Sequence, residues 1–150
     1  MVPVRGAAAA HPARTAAWLA KQVERVLADA DLTLPQYRVL GLLGEGSALA
    51  SRLAARLDVR PPTVTAVVDG LVARGLVQRV VSGDDRRKVT HSLTAAGSAL
   101  LAEADAACDG RLAEIAGGLD RSEAEAAFAG LELWRQALLA RVELQHSASP

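Results

Sequence analysis

The sequence is poor in cysteine and in aromatic residues, and these shortages exclude several classes of protein. Its 150 residues include a single cysteine, Cys108, which excludes an intramolecular disulfide framework and a cysteine-rich zinc site. Aromatic residues make up 3% and hydrophobic residues 51%, and alanine is abundant, which favours helices over sheets. No apolar run approaches the roughly 18 residues of a membrane span. We therefore expect a soluble, cytoplasmic, mainly helical protein with no membrane partner.

Catalytic and metal-binding motifs are also missing from the sequence. The three histidines, His11, His91 and His146, are scattered along the chain and form no HExxH pair. There is no CxxC pair, no glycine-rich nucleotide loop and no Gly-x-Ser-x-Gly turn. The sequence therefore predicts a protein that is not an enzyme and that needs neither a metal nor a cofactor.

Charge is balanced over the whole chain but segregated along it. The formal net charge is zero, with 17 basic and 17 acidic residues. Residues 47–94 carry eight basic and four acidic side chains, whereas residues 95–150 carry four basic and nine acidic ones. A cationic middle segment is typical of a face that binds a polyanion, although basic solvated faces are also common.

Two helices are predicted in the first third of the chain. An apolar stripe with helical spacing indicates a helix over about residues 13–30, formed by Leu19, Val23, Val26, Leu27 and Ala30. Thr33 then has the position of an N-cap, with Gln36 three residues later as the second half of a capping box. The second helix should end near Leu43, before Gly44.

The next segment has the pattern of a helix-turn-helix followed by a hairpin. A short helix from Ser47 and a helix starting at Pro61 are separated by a three-residue turn, and Gly75 ends the second helix. Two β-branched runs, 76–81 and 88–93, then flank a charged tip. Together these elements form a winged helix. The tip carries Arg86, Arg87 and Lys88, which suit phosphates or a minor groove, although a charged tip also protects a sheet edge.

Two long helices follow, one over Ala95–Ala116 and one opened by the capping box of Asp120 and Glu123 and running to about Arg141. Their apolar faces, together with that of the first helix, are best explained as a dimer interface. This gives a predicted organisation in four parts: a flexible arm (1–12), a helical dimerisation region (13–31 and 95–143), a winged helix-turn-helix lobe (32–94) and a disordered tail (144–150).

Several short motifs occur in one fixed order: Leu32-Thr33-Leu34-Pro35-Gln36-Tyr37, Leu53-Ala54-Ala55-Arg56-Leu57, Pro62-Thr63-Val64-Thr65, Arg74-Gly75-Leu76-Val77 and Asp85-Arg86-Arg87. Over about residues 32–97 the chain resembles the MarR family of bacterial transcriptional regulators. The resemblance implies a mainly α fold with a small β-wing, namely a winged helix-turn-helix with N- and C-terminal dimerisation helices. It also implies a homodimer that binds double-stranded DNA at a pseudo-palindromic operator.

The resemblance assigns expected roles to individual residues. Thr63 and Thr65 match groove-facing positions of the recognition helix, Arg87 matches a wing arginine that enters the minor groove, and Asp85 matches the acid that orients it. Ala66 and Gly70 stand where many members carry long polar side chains, so threonine methyls, the helix N-terminus and DNA shape should contribute more of the specificity. The full set of expected DNA-binding residues is Arg60, Pro62, Thr63, Thr65, Ala66, Arg74, Asp85, Arg86, Arg87 and Lys88.

The resemblance further implies a small aromatic or amphipathic effector that lowers operator affinity. Its candidate pocket residues are Trp18, Gln22, Tyr37 and Arg38, although packing in the core explains Trp18 and Tyr37 more simply. Cys108 is interpreted as a buried small hydrophobe, not a redox sensor, because Asp105 and Asp109 should raise its pKa. The predicted function is a ligand-responsive repressor; the alternative is a winged-helix module for protein contacts without specific DNA binding.

Overall fold

The structure is a computed structural model, and it describes residues 11–81 and 88–147. Six helices and three short strands follow one another in the order α1 (Pro12–Asp29), α2 (Leu34–Gly44), β1 (Ala48–Leu49), α3 (Ala50–Leu57), α4 (Pro61–Ala73), β2 (Val77–Val81), β3 (Val89–Leu93), α5 (Ala95–Ala116) and α6 (Arg121–Ser147). The winged helix-turn-helix expected from the sequence is confirmed. Most of the expected arm, residues 1–10, lies outside the described residues.

Local signals in the sequence position the ends of the helices. The Thr33 hydroxyl accepts a hydrogen bond from Gln36 N at 3.3 Å, and the Gln36 side chain accepts one from Thr33 N at 3.0 Å. A second capping box opens α6, where Asp120 and Glu123 each accept a hydrogen bond from the other's backbone N–H. Both boxes satisfy N–H groups that have no partner inside the helix, so both helix starts are set locally.

The sheet contains one strand more than the predicted hairpin. β3 lies in the centre and pairs antiparallel with β2 on one side, with Val77 opposite Leu93, and with β1 on the other, with Ala48 opposite His91. The expectation that Ser47 begins the third helix was therefore wrong, because Ala48 and Leu49 form a two-residue strand before α3. This strand covers one edge of β3 and gives its backbone groups partners.

A single apolar core holds the winged helix-turn-helix together and reaches α1 and α5. Its buried residues come from α1 to α5 and from β2, and the largest fully buried ones are Leu27, Leu40, Leu53, Leu71, Val39, Val64, Val68 and Val77. A close approach joins α5 to this core: a Cβ on Gly97 would lie 2.0 Å from the Leu76 carbonyl oxygen. Position 97 therefore accepts only glycine without displacement of the backbone.

The C-terminal helix is longer than predicted and exposes much of its apolar surface. α6 continues to Ser147, so the prediction of a disordered tail from residue 144 was wrong for residues 144–147. No glycine or proline interrupts the chain between Leu131 and Ser147, so nothing stops the helix near Arg141. None of the helices within the described ranges combines the length and apolar character needed to cross a membrane.

Candidate nucleic-acid interface

Helix α4 presents a face of small side chains to solvent. Its buried stripe of Val64, Val68 and Leu71 fixes which side points outwards, and that side carries the exposed residues Pro62, Thr63, Thr65, Ala66 and Asp69. The Thr65 hydroxyl donates a hydrogen bond to the Pro61 carbonyl oxygen at 3.1 Å, which leaves its methyl group and an oxygen lone pair available. The face suits close approach to a groove but offers no long side chain for bidentate base contacts.

The first turn of α4 differs from the expectation that the helix N-terminus would bind phosphate. Pro61 and Pro62 have no backbone N–H, and the Thr63 N–H is used in a 3.0 Å hydrogen bond to the Arg60 carbonyl oxygen. This turn therefore supplies no free N–H donor from residues 61–63. The exposed side chain of Arg60, at the N-cap, is instead the cationic group placed beside it.

Arg60 borders an open groove along the turn between α3 and α4. The groove has a volume of about 610 Å³, and residues from both helices and from the turn line it, including Ala55, Asp58, Pro61 and Thr63. Asp58 has φ of 54°, the left-handed conformation that reverses the chain between the two helices. The turn thus brings Arg60 and Thr63 to the same rim.

The wing contributes one exposed cation at its described end, while its tip falls outside the described part of the chain. Lys88 is exposed just before β3. The predictions for Asp85, Arg86 and Arg87 concern residues outside the described ranges, so their roles stay predictions.

An ion pair between the wing and α4 was not predicted from the sequence. The Arg79 guanidinium on β2 donates to the Asp69 carboxylate on the exposed face of α4. Both side chains are about half exposed. Arg79 faces the same side of the sheet as Val77, and the hairpin pattern could have shown that this side packs on α4. The pair places the Arg79 cation beside the exposed face of α4, and the Asp69 carboxylate at the same time neutralises that cation.

Arg74, expected as a phosphate contact, is exposed, but Asp31 holds its guanidinium at the protein surface. Its guanidinium donates to the Asp31 carbonyl oxygen at 2.8 Å and lies 3.8 Å from the Asp31 carboxylate. Gly75 and Leu76, which follow Arg74, are held against the start of α5. The Thr94 hydroxyl donates to the Gly75 carbonyl oxygen at 2.7 Å, and Thr94 N donates to the Leu76 carbonyl oxygen. The end of α4 is thereby joined both to the α1–α2 loop and to the start of α5.

The four residues expected to line an effector pocket point to different places. Trp18 is 72% exposed, so the prediction that it packs in the core was wrong for the single chain. Gln22 accepts two hydrogen bonds from the Arg111 guanidinium, at 2.8 and 3.2 Å. Tyr37 turns towards α5, whereas Arg38 turns towards α3 and donates to the Leu57 carbonyl oxygen at 2.9 Å.

Tyr37 packs against the core as predicted and joins α2 to α5. Its hydroxyl donates to the Asp105 carboxylate at 2.5 Å. Burial, followed by this hydrogen bond and the nearby negative charge, raises the pKa of Tyr37 well above its ordinary value. The hydroxyl therefore remains a donor throughout the neutral and moderately alkaline range.

Cys108 lies next to this contact and is buried, as the sequence predicted. Burial is the main factor that raises the pKa of the thiol, and the charges of Asp105 and Asp109 raise it further. A thiol that is buried and protonated is a poor nucleophile and reacts slowly with oxidants.

Comparison with known proteins identifies the relatives of this arrangement. A model of the MarR family matches residues 30–88, which contain α2, β1, α3, α4 and β2. The transcriptional repressor Rv2887 of Mycobacterium tuberculosis is 34% identical over 94 residues, which cover 62% of this chain and 68% of the repressor. The chain belongs to the MarR family. Members of this family are transcriptional regulators and not enzymes.

A second curated relative and a solved structure of Rv2887 agree with this membership. The uncharacterized HTH-type transcriptional regulator YhbI of Bacillus subtilis is 40% identical over 85 residues, and the matched region spans 56% of this chain but only about half of YhbI, 55%. The crystal structure of Rv2887 in complex with p-aminosalicylic acid superposes with a TM-score of 0.69 at 27% identity, covering 81% of this chain and 93% of Rv2887. The likeness to Rv2887 thus extends beyond the winged helix to the flanking helices.

Proposed function

We propose that the chain is a DNA-binding repressor that reads its operator with the exposed face of α4. The observation that carries this proposal is the solvent-facing row of Thr63, Thr65 and Ala66 beside a groove rimmed by Arg60. A helix of this kind enters a major groove, and the small side chains allow its backbone to approach the base edges closely. The name of the relative Rv2887, a transcriptional repressor, supports repression over activation.

The wing completes the proposed interface. Lys88 is exposed at its described end, and we assign Arg86 and Arg87 to the flanking phosphates and minor groove, with Asp85 orienting Arg87. These assignments rest on the family resemblance and on the suitability of a guanidinium for a narrow minor groove. Arg74 is withdrawn as a phosphate contact, because its guanidinium is engaged by Asp31.

A homodimer would cover the apolar surface of the flanking helices. The large exposed hydrophobic residues lie mainly on α1, α5 and α6 and include Trp18, Ile115, Leu119, Phe128, Leu131, Leu133, Trp134 and Leu138. Soluble monomers rarely expose so many large apolar side chains on one region. Two copies joined there would present two α4 helices to successive major grooves of a pseudo-palindrome.

We further propose that a small organic ligand regulates operator affinity. The support is the crystallised complex of Rv2887 with p-aminosalicylic acid, an aromatic carboxylate. An apolar cavity of about 240 Å³ between α1, α5 and α6 is one place for an apolar molecule, and its lining includes Leu19, Leu112 and Phe128.

Selection from a library of random DNA duplexes tests the proposed function. We expect enrichment of a pseudo-palindrome whose half-sites lie about one helical turn apart, as two-fold related recognition helices require. Thr63→Ala and Thr65→Ala should each change the enriched base pairs, while Thr15→Ala, on the exposed start of α1, should not. Recovery of unrelated sequences with no shared motif would contradict the proposal and favour the winged-helix protein-interaction module.

A further inference from the structure

The exposed face of α4 carries short side chains along its centre. Pro62, Ala66 and Gly70 follow one another at i, i+4 and i+8, on the side away from the buried stripe, and none of the three is buried. A Cβ on Gly70 would meet nothing within 4 Å, so open space lies over that part of the helix. The backbone of α4 can therefore approach base edges closely, and the groups that reach the bases first are methyl and methylene groups.

Thr65 lies beside this row, and the proton of its hydroxyl is already used. Oγ1 donates to the Pro61 carbonyl oxygen at 3.1 Å. A hydroxyl has one proton, so Thr65 offers the bases a methyl group and an acceptor lone pair but no donor. The hydrogen bond also turns Oγ1 back along the helix, which fixes the side-chain rotamer and with it the position of the methyl group.

Hydrogen-bond donors are scarce on the same face. Pro62 has no backbone N–H, and the Thr63 N–H donates to the Arg60 carbonyl oxygen. The Asp69 carboxylate is an acceptor and is paired with Arg79. Of the exposed side chains between residues 62 and 70, at most the Thr63 hydroxyl keeps a proton for the bases.

This combination of methyl groups and acceptors fits one kind of base pair. Guanine presents two acceptors in the major groove, O6 and N7, which require two donors and which the Asp69 carboxylate would repel. Thymine presents its C5 methyl group, and the adenine paired with it presents an amino group that suits an acceptor. A face without long donors therefore matches a thymine–adenine pair and does not match guanine.

We propose that α4 reads its operator through the C5 methyl groups of thymine, with Thr65 Cγ2 and Ala66 Cβ as the groups that contact them. This inference rests on the proposed function, because it concerns the same face of α4. It makes apolar contact, and not a bidentate hydrogen bond, the source of discrimination under this part of the helix. Arg60 and Lys88 lie outside the row and add phosphate affinity without sequence information.

Replacement of thymine by deoxyuridine in the selected duplex tests the proposal. Deoxyuridine keeps every hydrogen-bonding group of thymine and lacks the C5 methyl group. Each thymine of a half-site is replaced in turn, and anisotropy titrations measure the affinity of the full chain. We expect each half-site to contain a thymine whose replacement weakens binding about fourfold, the effect of burying one methylene-sized group. Thymines outside the half-sites are the matched control, and their replacement should leave affinity unchanged.

Two variants at position 65 separate the methyl group from the hydroxyl. Thr65→Ser keeps the hydroxyl, and we expect it to bind the thymine duplex about fourfold more weakly and to lose the penalty for deoxyuridine at the contacted position. Thr65→Val keeps the methyl group and should bind both duplexes as the unchanged protein does. The urea midpoint of each variant is measured as well, so that a loss of folded protein is distinguished from a loss of contact.

Affinity that is unchanged by deoxyuridine at every thymine of the half-sites would overturn the proposal. So would the reverse pattern at position 65, with Thr65→Ser binding like the unchanged protein and Thr65→Val binding more weakly, because the hydroxyl would then read the base. Failure of the proposed function has a different signature, since selection would then recover no shared motif. A shared motif whose binding does not depend on thymine methyl groups would contradict this inference alone.

Discussion

Tyr37 is the single tyrosine of the chain, so its ionisation can be followed alone. Its pKa is raised by burial and by Asp105, whereas in the unfolded chain it returns to about 10. Above that pH the unfolded state loses a proton that the folded state keeps, so the free energy of unfolding falls. We expect tyrosinate absorbance to appear only well above pH 10 in the folded protein. Titration at the ordinary value, without unfolding, would contradict the Tyr37–Asp105 contact.

Asp69 and Arg79 give a second prediction at the level of single residues. Asp69→Asn removes a negative charge from the exposed face of α4 and frees the Arg79 guanidinium to bind a phosphate. We expect severalfold tighter DNA binding, a salt dependence steeper by about one phosphate contact, and weaker discrimination between sequences. Stability should change little, because exposed ion pairs contribute about 0–1 kcal/mol.

Anisotropy titrations at several salt concentrations measure these effects. Asp29→Asn, an exposed acid at the end of α1, is the matched control and should leave both affinity and salt dependence unchanged. A loss of affinity in Asp69→Asn would show instead that the ion pair orients the wing for binding.

Periodicity predicted which side of α4 faces solvent, because Val64, Val68 and Leu71 have helical spacing and the opposite side follows from it. The partners of charged residues could not be predicted in this way. Arg74 meets Asp31 across 43 residues of sequence, and that contact depends on how the α1–α2 loop lies against the end of α4. The prediction that Trp18 packs in the core failed for a related reason. The sequence does not distinguish an apolar residue of the core from one at an interface with a second copy.

At the level of elements, the helix starts marked by a cap and the two strands of the hairpin were predicted, whereas the start of α3 and the two-residue strand β1 were not. The Thr33 capping box and the start of α5 depend on residues three or four positions apart, so the sequence contains the whole signal. β1 has two residues, too few for an alternating pattern, and it exists only because β3 offers an open edge. The end of α6 was missed because the tail contains no strong stop signal.

The capping box of α2 makes a quantitative prediction. Thr33→Ala removes the side-chain oxygen that accepts from Gln36 N, and we expect the free energy of unfolding to fall by about 1 kcal/mol. Urea unfolding followed by circular dichroism measures this. Thr15→Ala removes the same atoms from an exposed position on α1 and should have a much smaller effect. Equal losses for the two variants would contradict the role of the cap.

At the level of the whole molecule, the exposed apolar surface predicts self-association. Trp134 is 66% exposed on α6, among the apolar residues assigned to the dimer. Trp134→Glu places a charge in that surface and should shift the protein from dimer to monomer in sedimentation velocity. The DNA affinity of this variant should also fall, because a monomer brings only one α4 to one half-site of the operator. Ser122→Glu adds the same charge at the exposed start of α6 and should leave the dimer intact.

The measurement that tests the central claim most directly is an anisotropy titration of the selected duplex and of a scrambled duplex at two salt concentrations. If the protein reads DNA with α4 and holds phosphates with its basic residues, it will bind the selected duplex more tightly. Binding of both duplexes will weaken steeply with salt as counterions are released, by about 10³–10⁵ between 50 and 200 mM for 6–10 phosphate contacts. Equal affinity for the two duplexes, or binding indifferent to salt, would contradict the claim.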